Sequence, residues 1–206
     1  MTSVGRPEVI RLSFNEAVEI YDEVPPSYPA ALFDELFDLL STEPEIVEVG
    51  PGTGQTTKDL LARDASVHAV EISPAMAAKL RTKLPSNRLR ISVGEIKEVV
   101  IASGADAVFS ATAYQWISRA AQTDRLATIL RPGGVVAIVD LIQVDSPDDL
   151  GFFAAAQPIY DRYGDGRTGP PSPTRNSVDP VIRSVLQADN RFAEFASSTK
   201  GQNRAF

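Results

Sequence analysis

The chain has 206 residues, of which 43% are apolar and 23% charged, and this is enough apolar material for one globular domain with its own core. Its 20 basic and 27 acidic residues give a formal net charge of −7, which argues against nucleic acid as a partner, because phosphate backbones are held by clustered positive charge. The lack of cysteine excludes disulfides and thiolate chemistry, and the single histidine makes a metal site difficult to build. No apolar run suits a signal peptide or a membrane span, so a soluble cytoplasmic protein without a membrane partner is expected.

The first region, residues 1–44, has a helical pattern that begins near Phe14 and continues to Leu40. The prolines in residues 25–29 must interrupt it, because proline lacks the amide donor and restricts the residue before it. The apolar positions that recur every three or four residues are Leu32, Phe33, Leu36, Phe37 and Leu40. We therefore expect two short helices that flank an extended hinge.

In the second region, residues 45–141, short apolar runs alternate with amphipathic stretches, which is the pattern of βαβ units that form a parallel sheet. The expected strands are residues 46–49, 67–72, 89–93, 107–111 and 135–139. Helices are expected at 56–63, 75–84 and 123–130, the second of them with Ser73 as N-cap, Pro74 in its first turn and Pro85 beyond its end. The predicted fold class is α/β, a mostly parallel sheet with helices on both faces.

The third region, residues 142–206, begins with an aromatic-rich helical signal and continues into a loop at 164–173 that is rich in glycine and proline. Long loops of this kind are often lids over a binding site. We therefore expect one domain over residues 1–206, made of an N-terminal helical segment, a core that binds a cofactor, and a substrate lid with a C-terminal segment.

The most informative segment is E-I-V-E-V-G-P-G-T-G at residues 45–54, in which a strand runs into Gly50, Gly52 and Gly54 and then into a helix. Glycine permits positive φ and close approach of the backbone, so a ligand can pack directly on main-chain amides at the helix N-terminus. An ordinary tight turn would need only one or two glycines. The spacing predicts a loop that holds a large cofactor.

Two adenosine-containing cofactors compete for such a loop. A dinucleotide fingerprint has the spacing G-x-G-x-x-G, whereas this chain has G-x-G-x-G. Glu71, at the end of the second predicted strand, could accept hydrogen bonds from both ribose hydroxyls of either cofactor, or it could be a solvated charge at a strand end. The glycine spacing disfavours the dinucleotide.

Taken in order, these segments resemble the class I S-adenosylmethionine-dependent methyltransferases, specifically the small-molecule group with a signature like E-V-G-x-G-T-G, over about residues 14–141. The resemblance implies a Rossmann-like fold and S-adenosylmethionine as the cofactor. It also implies that the glycine loop with Glu48 holds the amino-acid half, that Glu71 and Ile72 hold the ribose, and that Glu95 and Ile96 hold the adenine. By the same resemblance Ala111 lines the cofactor.

After the fourth strand this family commonly has an aromatic residue and a His-Trp pair that line the substrate, and here the residues are Tyr114, Gln115 and Trp116. Gln115 stands where a histidine is frequent, and an amide cannot act as a general base. Together with Tyr160 these residues are the candidate substrate contacts, although core packing is an alternative for Tyr114 and Trp116. The L-R-P-G-G run at 130–134 matches the family's turn into strand five, which is a structural signature.

Two departures from the family pattern bear on activity. The N-terminal Y-D-x-x-R-P-x-Y-P-x-x-L pattern is present around Tyr21, Asp22 and Tyr28 but without its arginine, which often contacts the cofactor carboxylate. The fold usually closes with two further strands, and only residues 192–195 offer one, so the C-terminal strands are expected to be incomplete.

Three functions remain open on sequence alone, and none of them assigns a catalytic residue or an oligomeric state. The first is a methyltransferase that acts on a small molecule by in-line displacement. The second is a catalytically silent cofactor-binding or protein-interaction domain. The third is a nicotinamide-dependent oxidoreductase, which would need a Tyr-x-x-x-Lys or comparable site that the sequence after strand four lacks.

Overall fold

The computed structural model describes residues 18, 22, 28–117, 119–141, 158–159, 161–162, 186 and 188–193. Most of the predicted first helix, the residues of the predicted hinge before Tyr28, the predicted lid at 164–173 and Tyr160 lie outside the described residues. The described elements, in chain order, are α1 (Ala30–Phe37), β1 (Glu45–Val49), α2 (Thr57–Leu61), β2 (Ser66–Glu71), α3 (Pro74–Lys83), β3 (Leu89–Val93), β4 (Ala105–Ala111), a 3-10 turn (Tyr114–Trp116), α4 (Arg119–Ile129) and β5 (Leu130–Val139).

The five strands form one parallel sheet in the order β3-β2-β1-β4-β5. Val47 at the centre of β1 lies opposite His68 of β2 on one side and Val108 of β4 on the other. The chain runs outward from β1 through β2 to β3 and then returns to the other side of β1. The order therefore reverses between β1 and β4, and a crevice at such a point is where parallel α/β sheets bind ligands.

Successive residues of the central strands point to opposite faces of the sheet, and both faces are covered. On one face Ile46 packs with Phe33 of α1 and Leu60 of α2. On the other face Val47 packs with Leu126 of α4. The predicted α/β class, with helices on both faces, is confirmed.

Local sequence signals explain the helix ends. Ser73 has extended backbone and its hydroxyl accepts a hydrogen bond from the amide of Met76 at 3.1 Å, while Pro74 occupies the first turn, so the predicted cap of α3 is confirmed. The helix α4 begins at Arg119, earlier than predicted. Its C-terminal end leads directly into β5.

The predicted turn at 130–134 lies inside β5 as an irregularity. Leu130 pairs with Ala105 but Val135 pairs with Ala107, so the residues between them bulge out of the ladder. Gly133 has a φ of +75° in this bulge, a conformation that favours glycine.

The C-terminal residues that the structure describes add no strand. Phe192 and Ala193, which begin the predicted strand at 192–195, have no strand conformation. Phe192 instead packs, partly buried, against the hydrophobic cluster on the α4 face of the sheet. In the described part of the chain no helix is long and apolar enough to cross a bilayer.

Candidate cofactor site at the carboxyl edge of the sheet

The glycine loop after β1 lies at the point where the strand order reverses. Gly50, Gly52 and Gly54 have φ values of +71°, +59° and +99°, which favour glycine. A Cβ atom on Gly50 would lie 2.4 Å from the Cβ of Ala113, and one on Gly54 would lie 2.6 Å from Cδ1 of Leu80. The glycines therefore allow the loop to touch both the segment after β4 and helix α3.

Glu71 joins this loop to the end of β2. Its carboxylate accepts hydrogen bonds from the amide of Gly52 at 3.0 Å and from the amide of Ser73 at 2.8 Å. The side chain is buried, and burial raises its pKa, although the backbone donors oppose that shift. Glu71 is therefore no solvated strand-end charge, and a carboxylate with two donors still has acceptor positions for a ligand.

Glu48 is the second buried carboxylate of the site. It is 1% exposed and accepts hydrogen bonds from the hydroxyls of Thr56 and Thr57, the latter at 2.6 Å, at the start of α2. Burial raises the pKa of Glu48 to about 7, against the effect of the two hydroxyls, and the charge of Glu71 adds to the shift.

Among the described residues, neither Glu48 nor Glu71 has a basic partner. Two buried carboxylates without a counter-ion suit a ligand that brings a positive charge and hydrogen-bond donors. S-adenosylmethionine has a sulfonium, an ammonium and a ribose diol, so the residues of this edge fit the cofactor that the sequence predicts.

A chain of polar contacts leads from the surface into the loop. Lys83 of α3 lies 2.5 Å from Oδ1 of Asp22, and the hydroxyl of Thr53 donates to the same oxygen at 2.7 Å. Gln55 donates from Nε2 to the hydroxyl oxygen of Thr53 at 2.6 Å. The sequence did not predict roles for Thr53 and Gln55. The Tyr-Asp pattern around Asp22 was the signal from which the contact between Asp22 and Thr53 could have been found.

The segment after β4 carries the predicted substrate residues. Tyr114 is 1% exposed and packs in the cluster on the α4 face, and burial raises its pKa to about 12, so the structure places it where the core-packing alternative would. Gln115 is exposed and donates from Nε2 to the carbonyl of Thr112 at 2.9 Å. Trp116 belongs to the 3-10 turn by its backbone, and Tyr160 lies outside the described residues.

Two neighbours of this segment complete its surroundings. Ala111 ends β4 and is buried in the core. Thr112, which follows it, has a φ of +53°, rare for a β-branched residue. The hydroxyl of Tyr28 lies 3.3 Å from Oγ1 of Thr112, so the residues just before α1 reach the carboxyl edge of the sheet.

The predicted adenine residues follow β3 on the same edge. The amide of Gly94 donates to the carbonyl of Glu71 at 2.9 Å, which places this loop beside the end of β2. Glu95 is half-buried with a carboxylate oxygen 2.8 Å from Nζ of Lys97, and Ile96 is buried in the cluster on the α4 face. Ile72 is half-buried and follows directly after β2. The structure thus brings the predicted cofactor residues together along one edge, and their individual roles remain predictions.

His68 lies away from this edge. Its Nε2 is 2.9 Å from the hydroxyl of Ser92 on the neighbouring strand β3. Burial lowers the pKa of the imidazole, with Arg90 adding to that shift. His68 is therefore held inside the sheet by a neighbouring strand.

Comparisons with known proteins agree with this geometry. Residues 47–138 match the methyltransferase domain family. An uncharacterized methyltransferase of Mycobacterium tuberculosis is 35% identical over 129 residues, covering 62% of this chain and 51% of the relative. A malonyl-[acyl-carrier protein] O-methyltransferase of Halorhodospira halophila is 31% identical over 161 residues, covering 72% and 48%. The solved structure of the CcbJ methyltransferase from Streptomyces caelestis has 27% identity and a TM-score of 0.50, over 59% of this chain and 54% of that one.

Residues 47–138 are therefore similar to a methyltransferase domain, in agreement with the resemblance to the class I S-adenosylmethionine-dependent methyltransferases that the motifs predicted. The chain spans about half the length of these curated relatives. The matched residues 47–138 contain the glycine loop and the carboxyl ends of β1 to β4. The nicotinamide-dependent alternative finds no support among these relatives.

Proposed function

We propose that this protein is an S-adenosylmethionine-dependent methyltransferase that transfers a methyl group to a small-molecule acceptor. The observation that carries the proposal is the pair of buried carboxylates, Glu48 and Glu71, beside a glycine loop at the reversal point of the sheet. A cationic ligand that binds there would gain from both charges.

The bound cofactor would supply an electrophilic methyl group on a sulfonium whose leaving group is a neutral thioether. The remaining acceptor positions of Glu71 suit the two ribose hydroxyls, and Glu95 suits the adenine amino group. The glycine loop would hold the amino-acid half against its backbone. The task of the chain is to align the acceptor with the methyl group and to exclude water, which can supply much of the rate enhancement without a covalent residue.

The acceptor is the least constrained part of the proposal. A free small molecule is our first candidate, and the name of the Halorhodospira relative adds a malonyl group carried by an acyl-carrier protein. A silent cofactor-binding domain is the alternative function. It is favoured by Gln115, whose exposed amide cannot accept a proton where the family frequently has a histidine.

Calorimetric titration with S-adenosylhomocysteine and, separately, with NADH tests the cofactor. We expect binding of the first ligand alone and an affinity lowered by roughly 10- to 100-fold in Glu71→Ala, the range for hydrogen bonds to a charged group. Asp38→Ala, which removes an exposed carboxylate at the end of α1, is the matched control and should bind like the wild type. Binding of NADH alone, or of neither ligand, would overturn the proposal.

Transfer itself is tested with methyl-labelled S-adenosylmethionine and a panel of amines, alcohols, thiols and carboxylates that includes a malonyl thioester of an acyl-carrier protein. Label in any small acceptor supports the proposed activity and rejects the silent domain. Tight binding of S-adenosylhomocysteine without transfer to any member favours the silent domain.

A further inference from the structure

Gln55 follows the last glycine of the loop and carries a buried polar atom that the proposed function leaves unused. The side chain is 7% exposed, and its carbonyl oxygen Oε1 has no hydrogen-bond partner. Within the described part of the chain it is the only buried side-chain nitrogen or oxygen in that condition. A buried acceptor without a hydrogen-bond partner lowers the free energy of unfolding. We therefore expect a bound ligand to supply the donor.

The contacts around Thr53 fix which end of the amide is unsatisfied. The carboxylate of Asp22 can only accept, so the single hydroxyl hydrogen of Thr53 points to it. Thr53 must then accept from Gln55, which requires the nitrogen of the amide on that side. Lys83 keeps Asp22 ionised by lowering the pKa of its carboxyl, and Thr53 contributes to the same effect. The amide is therefore held with its oxygen turned away from Thr53.

The chemistry of the missing donor follows from the loop in which Gln55 lies. The proposed ligand places its amino-acid half at this loop, and that half has two polar groups, a carboxylate and an ammonium. A carboxylate has no hydrogen to donate, whereas an ammonium has three. Glu48, in the strand that precedes the loop, is a buried carboxyl group whose ionised form a nearby cation would stabilise.

We propose that Oε1 of Gln55 accepts a hydrogen bond from the ammonium group of bound S-adenosylmethionine, and that Asp22, through Thr53, holds the amide in this orientation. The proposal rests on the proposed function. It makes Gln55 a binding residue and Asp22 a positioning residue that links the N-terminal region to the glycine loop.

The test compares three ligands by calorimetry: S-adenosylhomocysteine, its deamino analogue, which keeps the carboxylate, and its decarboxy analogue, which keeps the amine. In Gln55→Met, a substitution of similar volume, we expect both amine-bearing ligands to bind about tenfold more weakly. The deamino analogue should keep its affinity, because it has no ammonium to lose. The melting temperature of the ligand-free variant should not fall much, since the substitution also removes an unsatisfied acceptor.

Asp22→Ala provides a second variant that leaves Gln55 in place. Without the carboxylate, the hydroxyl of Thr53 can donate to a flipped Gln55 amide, so the preference for amine-bearing ligands should again shrink. Equal losses for all three ligands, or no loss in Gln55→Met, would mean that water or nothing occupies the acceptor and would overturn the inference. Failure of the wild type to bind S-adenosylhomocysteine would instead overturn the proposed function.

Discussion

At the scale of single residues, Gly50 shows how closely two loops meet at the reversal point. With a φ of +71° and a would-be Cβ 2.4 Å from Ala113, Gly50→Ala combines backbone strain with a clash. We expect the free energy of unfolding to fall by roughly 2–4 kcal/mol. Gly104→Ala is the control, because its φ is +106° but no atom lies within 4 Å of the added Cβ. Urea denaturation that shows equal losses in both variants would contradict the role assigned to the contact with Ala113.

Glu48 makes a prediction about pH. Its pKa rises from an ordinary 4.5 to about 7 in the folded chain, so between these values the folded chain binds more protons than the unfolded chain. The contribution of Glu48 to the free energy of unfolding is therefore fully present below pH 4.5. It falls by roughly 3 kcal/mol as the pH rises to about 7. Glu48→Gln should remove this part of the pH dependence.

The measurement is chemical denaturation of the ligand-free protein at pH 5 and pH 7.5, in the wild type and in Glu48→Gln. Other carboxyl groups also contribute to the pH dependence, because the pKa of Glu71 is raised and that of Asp106 is lowered. Only the difference between the wild type and Glu48→Gln therefore reports on Glu48. Parallel pH profiles would show that Glu48 titrates in the folded chain near its ordinary value.

Residue spacing predicted Glu71 and the three glycines, because both depend on a strand end and a turn that are local in sequence. It could not predict Gln55, whose orientation depends on a hydrogen bond between Thr53 and Asp22, 31 residues apart. Residue spacing also did not decide whether the side chain of Tyr114 packs in the core or lines a substrate pocket. The 3-10 turn at Tyr114–Trp116, which decides where that side chain points, has no apolar periodicity of its own.

At the scale of elements, the cap of α3 can be tested directly. The hydroxyl of Ser73 satisfies the amide of Met76, so Ser73→Ala should lower the free energy of unfolding by about 1 kcal/mol. Ser73→Thr keeps an acceptor at the same position and should recover most of that loss. Denaturation curves on which the two variants lose the same amount would show that the hydroxyl is not the source.

The bounds of β1 to β4 were predicted to within two residues because a strand buried on both faces is a continuous apolar run. The strand β5 begins at Leu130, five residues before its predicted start. The start of α4 was predicted too late, since its first residues, Arg119 to Gln122, are polar or small and show little periodicity. The bulge in β5 had a signal in its glycine pair. Within the bulge Arg131 donates to Asp106 at 2.7 Å, and no local sequence pattern predicts that contact.

At the scale of the whole molecule, the candidate cofactor site lies at one edge of the sheet, and a cluster of polar contacts between strand starts lies at the other. The carboxyl edge holds the buried carboxylates, the glycine loop and the orphan oxygen of Gln55. At the amino edge Asp106 receives hydrogen bonds from Arg131, the amide of Glu45 and Ser41, an arrangement that ties strand starts together. The fold could be predicted from sequence because it follows from periodicity, whereas this division depends on contacts between distant residues.

This division predicts where a bound cofactor slows hydrogen exchange. With S-adenosylhomocysteine at a hundred times its Kd, binding stabilises the folded state by about 2.7 kcal/mol, and amides that exchange by local opening slow only near the ligand. We expect slower exchange in residues 50–54, 71–73 and 112–114 at the carboxyl edge, and unchanged exchange in residues 41–45 and 103–106 at the amino edge. Mass spectrometry of peptides from both edges makes the comparison within one sample. Protection at the amino edge alone would place the ligand on the wrong side of the sheet and contradict the site, because parallel strands offer their ligand crevice only at their carboxyl ends.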